Sequence, residues 1–321
     1  MKNEKNKLLA RVAYLYYSEN KTQSGIAKIL GVYRTTISRM LSQAKKTGIV
    51  KINIEGYDVD LLALEEYFRK KYGLLQVDIT RNIADETKEE FMYNFSRSAA
   101  NFVKNLVDDQ QVIGISWGST LSGMVEQFET RYMEQSVICP LAGGPSQINV
   151  KYHVNTLIYE LAKKCHAKSS FINATVIQES AEVAKGILEA KYFNETLSLW
   201  KKLDVAIVGI GEDLSGENSQ WRDLLTSKDI ELLRKEHVVG ECCCRFFDKS
   251  GKLVYPELQA RTVGLPLEKL AEVPKSIAIA YGEKKAKALL AMIKKGYINC
   301  VVTDEATIHQ ILRLENDGYI N

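Results

Sequence analysis

Four short turns in this chain carry residue types that bind anions and hydroxyls. Ser116-Trp117-Gly118-Ser119-Thr120 follows the apolar run VIGI and precedes a helical pattern. A strand, a glycine-bearing turn and a helix start together offer backbone N–H groups, hydroxyls and a positive dipole end to an anion, commonly a phosphate. Ala142-Gly143-Gly144-Pro145-Ser146 follows SVICPL, Gly209-Ile210-Gly211 follows LDVAIV, and Gly282 follows SIAIAY with Lys285 one helical turn on. None of them is a Walker loop or a GxGxxG fingerprint, so a nucleotide is not indicated. One glycine turn says little, because glycine is usual where a strand feeds a helix. Four at the carboxyl ends of strands in one sheet point to a pocket for a polyol or a sugar phosphate. The candidate contacts are Ser116, Gly118, Ser119, Thr120, Gly143, Gly144, Ser146, Gly209, Gly211 and Lys285. Lys285 starts a helix, where a cation opposes the dipole unless an anion lies nearby. Asn155 either caps a helix or reaches a sugar hydroxyl. Asp248, at the expected tip of a hairpin, is either a turn residue or a ligand contact. His153 has no Asp or Ser near it in sequence to complete a triad.

A second group lies in Lys21–Thr47, KTQSGIAKILGVYRTTISRMLSQAKKT. Thr22 suits an N-cap, and Ile26, Ala27, Ile29 and Leu30 form an apolar stripe at helical spacing. Gly31 follows at the C′ position, where glycine adopts a left-handed conformation most cheaply. A second helix begins near Tyr33. Ile37, Met40, Leu41 and Ala44 mark its buried side, and Tyr33, Arg34, Thr35, Thr36, Ser38 and Arg39 its exposed side. Hydroxyls and guanidiniums are the groups that read base edges and hold phosphates in a major groove. With Thr22, Gln23 and Lys45 these residues are the candidate DNA contacts of a helix-turn-helix. Charge supports the assignment. Residues 1–55 hold eleven Lys and Arg against three Asp and Glu, a net of +8, whereas the whole chain is +3 and the remainder therefore −5. A basic head on an acidic body is the electrostatic footprint of a nucleic-acid module.

The elements that must position these residues follow from the apolar pattern. Asn6–Glu19 is a first helix completing a three-helix bundle. Ile49–Glu55, IVKINIE, alternates like a strand, either a wing or a lead-out. Asp58–Tyr72 is an amphipathic helix that either packs on the body or pairs with a second subunit. From LLQVDI onward, short apolar strands (Val112–Ser116, Ser136–Leu141, SSFIN at 169–173, Leu203–Gly211, Ser276–Gly282, Ile298–Thr303) alternate with helices. That alternation indicates a Rossmann-like α/β domain with a parallel sheet covered on both faces. Gly240–Val254 reads as a hairpin insertion around Lys-Ser-Gly. The expected domains are 1–55 for DNA, 56–74 for the linking helix and 75–321 for the ligand.

A hydrophobic share of 45% with 26% charged residues is ordinary globular composition. No apolar run approaches membrane-spanning length, and MKNEKNKLLA lacks the features of a signal peptide. The six cysteines form no CxxC pair, and the Cys242–Cys244 triplet reads as a buried strand whose side chains alternate rather than as a zinc site. A reducing cytoplasm suits them; no metal, cofactor or membrane partner is expected.

With these residues in view, the chain resembles the SorC family (SorC/DeoR type) of bacterial sugar-responsive transcriptional regulators. TQSGIAKILGVYRTTISRMLSQAKKTGIVKINI is similar to its DNA-binding module. GISWGSTL, PLAGG, ECCCRFFDKSGKLV, YGEKKAKALL and INCVVTDEAT resemble its effector-domain motifs in order. VYRTTISRML and GGPS followed by YHVNTLIYELA look most similar to regulators of sorbose and sorbitol operons. The resemblance implies a winged helix-turn-helix, an effector domain similar to sugar-phosphate isomerases and glucosamine-phosphate deaminases, a homotetramer, and a phosphorylated-sugar effector that changes binding to operator DNA. It places the effector site on the glycine turns, Asp248 and Lys285. Some relatives carry a lysine just before the Gly-Gly pair and hold their ligand as an imine. Ala142 stands there in this chain, so non-covalent binding is expected. The alternative is a sugar-phosphate isomerase or deaminase on a DNA-binding arm. Such chemistry needs a positioned acid and base, and the four histidines, at 153, 166, 237 and 309, form no constellation for it.

Overall fold

The computed structural model describes residues 2–50, 58–145, 149–213 and 225–320. The chain divides into two compact units, Met1–Leu62 and Ala63–Asn321.

The smaller unit holds α1 (Lys2–Tyr17), α2 (Gln23–Leu30) and α3 (Arg34–Lys46). Thr22 Oγ1 accepts the Gly25 amide hydrogen at 3.1 Å, and Gly31 ends α2 at φ +65°, so the predicted start and stop signals both operate. Val12, Ile26, Ala27, Ile37 and Leu41 form the core, with Leu9, Ala13 and Ala44 beside it. Ile29, assigned to the buried stripe, is instead 53% exposed, because α2 turns it away from α1 and α3. Ile49 and Val50 pack on the Leu9, Ala13 and Ala44 cluster. The rest of the predicted wing strand, from Lys51 on, lies outside the described residues.

The division between the units falls within α4 (Val59–Tyr72). Asp58 Oδ1 caps this helix by accepting from the Asp60 and Leu61 amides. From Ala63 on, the helix packs in the larger unit. Leu64 and Phe68 are buried, Tyr67 donates to Asp317 at 2.7 Å and Lys71 pairs with the same carboxylate.

In chain order the larger unit continues β1 (Gln76–Thr80), α5 (Lys88–Leu106), β2 (Val112–Ile115), α6 (Ser119–Gln127), β3 (Val137–Pro140), α7 (Val154–Cys165) and β4 (Lys168–Ser169). There follow α8 (Ala181–Glu189), α9 (Asn194–Trp200), β5 (Val205–Gly209), β6 (Gly211–Glu212), α10 (Ser227–Lys235), β7 (Gly240–Cys242) and β8 (Arg245–Phe247). The end is α11 (Pro256–Ala260), α12 (Leu267–Leu270), β9 (Lys275–Ile279), α13 (Ala286–Lys295), β10 (Cys300–Asp304) and α14 (Glu305–Leu314). Seven parallel strands form one sheet in the order β1-β10-β9-β5-β2-β3-β4. The central strands β5, β9 and β10 are buried except at Gly209 and Lys275 at their ends, as a sheet covered on both faces requires. No helix among the described residues is long and apolar enough to cross a membrane.

Two readings need correction. The strand expected over 169–173 is only Lys168–Ser169. The predicted strand Leu203–Gly211 stops at Gly209, and Gly211–Glu212 starts a second, antiparallel sheet, β6-β7-β8.

Candidate functional site

The sheet order fixes where a ligand can sit. From β2 the chain runs outward through β3 to β4, then returns to place β5 on the other side of β2 and continues outward to β9. The carboxyl ends of β2 and β5 thus flank the topological switch point, the crevice where open α/β sheets bind ligands. Ser116 N donates to Ile207 O at 3.0 Å and Ser116 Oγ accepts from Gly209 N at 3.2 Å, which ties the two strand ends together.

A cleft opens at this point. One wall is Ser116–Leu121, the second is Gly209–Glu212, and Glu241, Cys243, Cys244 and Lys285 close it. Gly118 caps α6 at φ +130°, a backbone conformation that a side chain rarely adopts. Ser122 N is the first amide of the helix to bond back, to Gly118 O. The Ser119, Thr120 and Leu121 amides have no acceptor within the helix and lie in the cleft wall. The Trp117 indole Nε1 beside them is buried without a partner among the described residues.

Lys285 sits opposite, on the turn between β9 and α13, and it is largely buried. Burial holds its ammonium below the usual lysine range, against the pull of Glu212, Glu241 and Asp213. Among the described residues its Nζ makes no hydrogen bond and no ion pair within 4 Å. Glu241, on β7, is buried as well, and burial pushes its carboxyl up while the Cys244 amide and Lys285 oppose that shift. Glu241 Oε2 accepts from Cys244 N at 2.9 Å. Its other oxygen lies over Gly211, where a Cβ would approach to 2.2 Å. The cleft therefore has a donor side (helix amides, hydroxyls, indole and ammonium) and an acceptor side (Glu212 and Glu241).

Of the residues expected at the site, Ser116, Gly118, Ser119, Thr120, Gly209, Gly211 and Lys285 come together here. Others do not. Gly143 is packed against the Ala174–Thr175 backbone, to which a Cβ would approach within 2.7 Å, and its amide donates to Val263 O. Gly144 and Asn155 line a separate cleft with His153 and Asn173. Asn155 does not cap α7; His153 does, through Nδ1 to the Asn155 amide. Both polar atoms of the Asn155 side chain are engaged by the Ile172 backbone. Ser146 lies outside the described residues.

Asp248 is a turn residue, at the bend that joins Phe247 to its antiparallel partner Leu253, and it does not line the cleft. The tight turn between β7 and β8 is Cys243-Cys244, so the triplet is not a continuous strand with alternating side chains. Asp248 opens the following turn, where its Oδ1 accepts from the Ser250 and Lys252 amides and the Ser250 hydroxyl. These bonds hold its carboxyl below the usual range despite partial burial. Sequence reasoning missed Trp117, Glu212 and Glu241. The acid before a cysteine triplet was the one signal for Glu241, and nothing local shows that the hairpin folds over Lys285.

In the smaller unit α3 presents Tyr33, Arg34, Thr35, Ser38 and Arg39 to solvent, with Thr36 partly covered. Tyr33 is 82% exposed. Arg34, Thr22 and Gln23 share a shallow depression with Lys21 and Tyr17. The Lys45 ammonium lies 5.9 Å from the Tyr17 ring centroid. Hydroxyls and cations thus lie together on one solvent-facing surface.

Comparison with known proteins agrees with this architecture. The sugar-binding domain family (Sugar-bind) matches residues 59–313. The sorbitol operon regulator of Klebsiella pneumoniae is 35% identical over 96% of this chain and 98% of its own. The crystal structure of the full-length sorbitol operon regulator SorC from that organism superimposes with a TM-score of 0.75 at 33% identity, covering 96% of this chain and 99% of that one. A transcriptional regulator from Streptococcus pneumoniae TIGR4 gives a TM-score of 0.78 at 42% identity over 81% of this chain and 99% of its own. These relatives are regulators rather than enzymes. A sugar-binding α/β unit behind a basic three-helix head, matched over nearly its whole length, places this chain in the SorC family of sugar-responsive transcriptional regulators.

Proposed function

We propose that the protein controls a sorbitol- or sorbose-type catabolic operon by binding operator DNA through α3 and a phosphorylated sugar or polyol, non-covalently, in the cleft at the switch point. The observation that carries the ligand assignment is the pairing of the α6 N-terminus with a largely buried lysine that has no direct partner among the described residues. A phosphate there would satisfy three orphan amides and the ammonium together. Glu241 and Glu212 would accept from the hydroxyls of the carbon chain. Ala142, at the position where some relatives use lysine, is fully buried, which supports binding without an imine.

For the smaller unit, Arg34, Arg39 and Lys45 would contact phosphates or guanine edges, with Thr22, Gln23, Tyr33, Thr35, Thr36 and Ser38 making the shorter contacts. One such head covers few base pairs. A homo-oligomer, a tetramer in this reading, would supply several heads to a repeated operator. Cytoplasmic residence follows from that role.

A thermal-shift screen tests the ligand assignment. Sorbitol 6-phosphate, fructose 6-phosphate, sorbose 1-phosphate, inorganic phosphate and the free polyols would be compared. A ligand at a hundred times its Kd adds about 2.7 kcal/mol to the folded state. Stabilisation by one or more organic phosphates, with little response to the free polyols, is the expected outcome. Response to free polyols alone would refute the phosphate assignment.

A further inference from the structure

The two edges of the seven-stranded sheet are finished differently. β1 and β4 are the outer strands, and an outer strand leaves a row of backbone groups without a ladder partner. A side chain from α4 reaches β1, where Glu65 Oε1 accepts from the Ile79 amide at 2.9 Å. On β4 the ladder to β3 uses Lys168 and Ser170, whose amides donate to Ser136 O at 3.0 Å and Ile138 O at 2.9 Å. Alternate residues of a strand point their backbone groups to opposite edges. Ser169, between these two, therefore turns both its N–H and its C=O away from the sheet. Among the described residues neither group has a hydrogen-bond partner, and the Phe171 amide on the same edge has none either.

The ground around this edge is aromatic. Phe171 is 45% exposed, Tyr159 53% and Tyr132 72%. Tyr132 stacks on His166 with ring centroids 4.4 Å apart, and His166, Tyr159 and Ser169 line one shallow depression. Lys163 and Glu134 line it too, one charge of each sign, and Lys168 begins the strand. None of these three side chains makes an ion pair among the described residues. Exposed aromatics beside unpaired backbone groups mark a surface that another chain covers. Ser169 is complementary to itself, because in an antiparallel pair two copies of one residue exchange both N–H···O=C bonds across a two-fold axis. Charges of both signs serve the same symmetry, since Lys163 and Glu134 of one copy can each face the opposite charge on the other.

We propose that two copies of this chain join through their β4 edges, antiparallel about Ser169, so that the sheet continues across a two-fold axis with Tyr132, Tyr159 and Phe171 packed around the joint. The strand is short, and its hydrogen bonds fix the register while the aromatic side chains supply the buried area. The inference rests on the oligomer in the function proposed above, and it assigns the surface that forms it. It does not depend on which ligand the cleft binds.

The test uses the full chain carrying Ser169→Cys. All six native cysteines are buried, so mild oxidation with copper phenanthroline reads the new thiol. A hydrogen-bonded antiparallel pair sets its Cα atoms about 5.5 Å apart, within the reach of a disulfide. A covalent dimer that dithiothreitol releases is the expected outcome. Ile83→Cys, 60% exposed beyond the opposite edge strand, should give none. Sedimentation velocity supplies a second reading. Tyr159→Glu combined with Phe171→Glu changes only exposed positions, and it should halve the mass of the wild-type particle. A wild-type particle of several chains that gives no covalent dimer through Ser169→Cys, or whose mass survives both glutamates, would overturn the joint and leave the oligomer standing. A wild-type particle of a single chain would overturn the oligomer and the joint together.

Discussion

Ser116 Oγ accepts the Gly209 amide hydrogen at 3.2 Å and so joins the ends of the two strands that flank the switch point. The bond holds the floor of the cleft, and its contribution is measurable. Ser116→Ala is expected to cost about 0.5–1.5 kcal/mol, seen as a fall of roughly 1–6 °C in Tm for a unit of this size. The stabilisation given by an organic phosphate should shrink in parallel. An unchanged Tm in calorimetry would mean that the bond is not structural.

Lys285 holds a largely buried positive charge without a direct partner among the described residues. Lys285→Met should therefore raise the Tm of the ligand-free protein while abolishing the additional rise given by an organic phosphate. The pH dependence follows from the lowered lysine pKa. Below that pKa the cation is present in both folded and unfolded chains and its desolvation cost is complete. As pH rises through the lowered folded value toward the unfolded one, the folded state sheds the proton first and the cost is relieved. The Tm gap between Lys285→Met and wild type should narrow over that window. A variant that kept the phosphate response would remove Lys285 from the site.

Glu65 on α4 reaches the edge strand β1, where its Oε1 accepts from Ile79 N at 2.9 Å. Burial pushes its carboxyl up to about 7, opposed by the Ile79 amide and aided by Asp78. A raised carboxyl pKa means that the folded state binds more protons than the unfolded chain between about 4.5 and about 7. Its stabilising contribution is complete below that window, lost as pH rises through it, and absent above. Glu65→Gln keeps an acceptor for Ile79 and removes the charge. Allowing for the partial exposure of this carboxylate, the variant should be more stable at pH 8 by about 1–2 kcal/mol. Denaturant melts of the two proteins at pH 5 and pH 8 check the sign, and an identical pH profile would refute it.

Arg34 and Arg39 stand exposed on α3. Replacing either with Ala should weaken operator binding in fluorescence anisotropy and reduce the slope of log K against log salt by about 1 if the lost contact is to a phosphate. The thermal response to an organic phosphate should be unchanged. Operator affinity that survives both substitutions would move the DNA contact away from α3.

Much of the local structure was legible in the sequence, because it depends on neighbours in the chain. Thr22 and Gly31 bound α2 as their side chains require, and the apolar runs of β2, β5, β9 and β10 identified buried parallel strands. Ser116–Thr120 and Lys285, which line one cleft in the structure, could be picked out as candidates, since a strand, a glycine turn and a helix start are contiguous. The uneven partition of charge along the chain was enough to mark the basic head.

What the sequence alone could not decide was which of the four glycine turns meet. The strand order settled that. β2 and β5 are hydrogen-bonded neighbours, so their turns share one cleft, while the turn after β3 packs against Ala174–Thr175 and opens elsewhere. Asp248 looked like a contact because turn position shows nothing of hydrogen bonding, and its carboxylate is engaged by Ser250 and Lys252. Glu241 and the Cys243-Cys244 turn reach the cleft only because the small sheet brings β7 beside β6, directly after β5. The period of apolar residues specifies the elements, because each buries one face. Adjacency between distant segments arises only when those faces pack, and the cleft is a product of that packing.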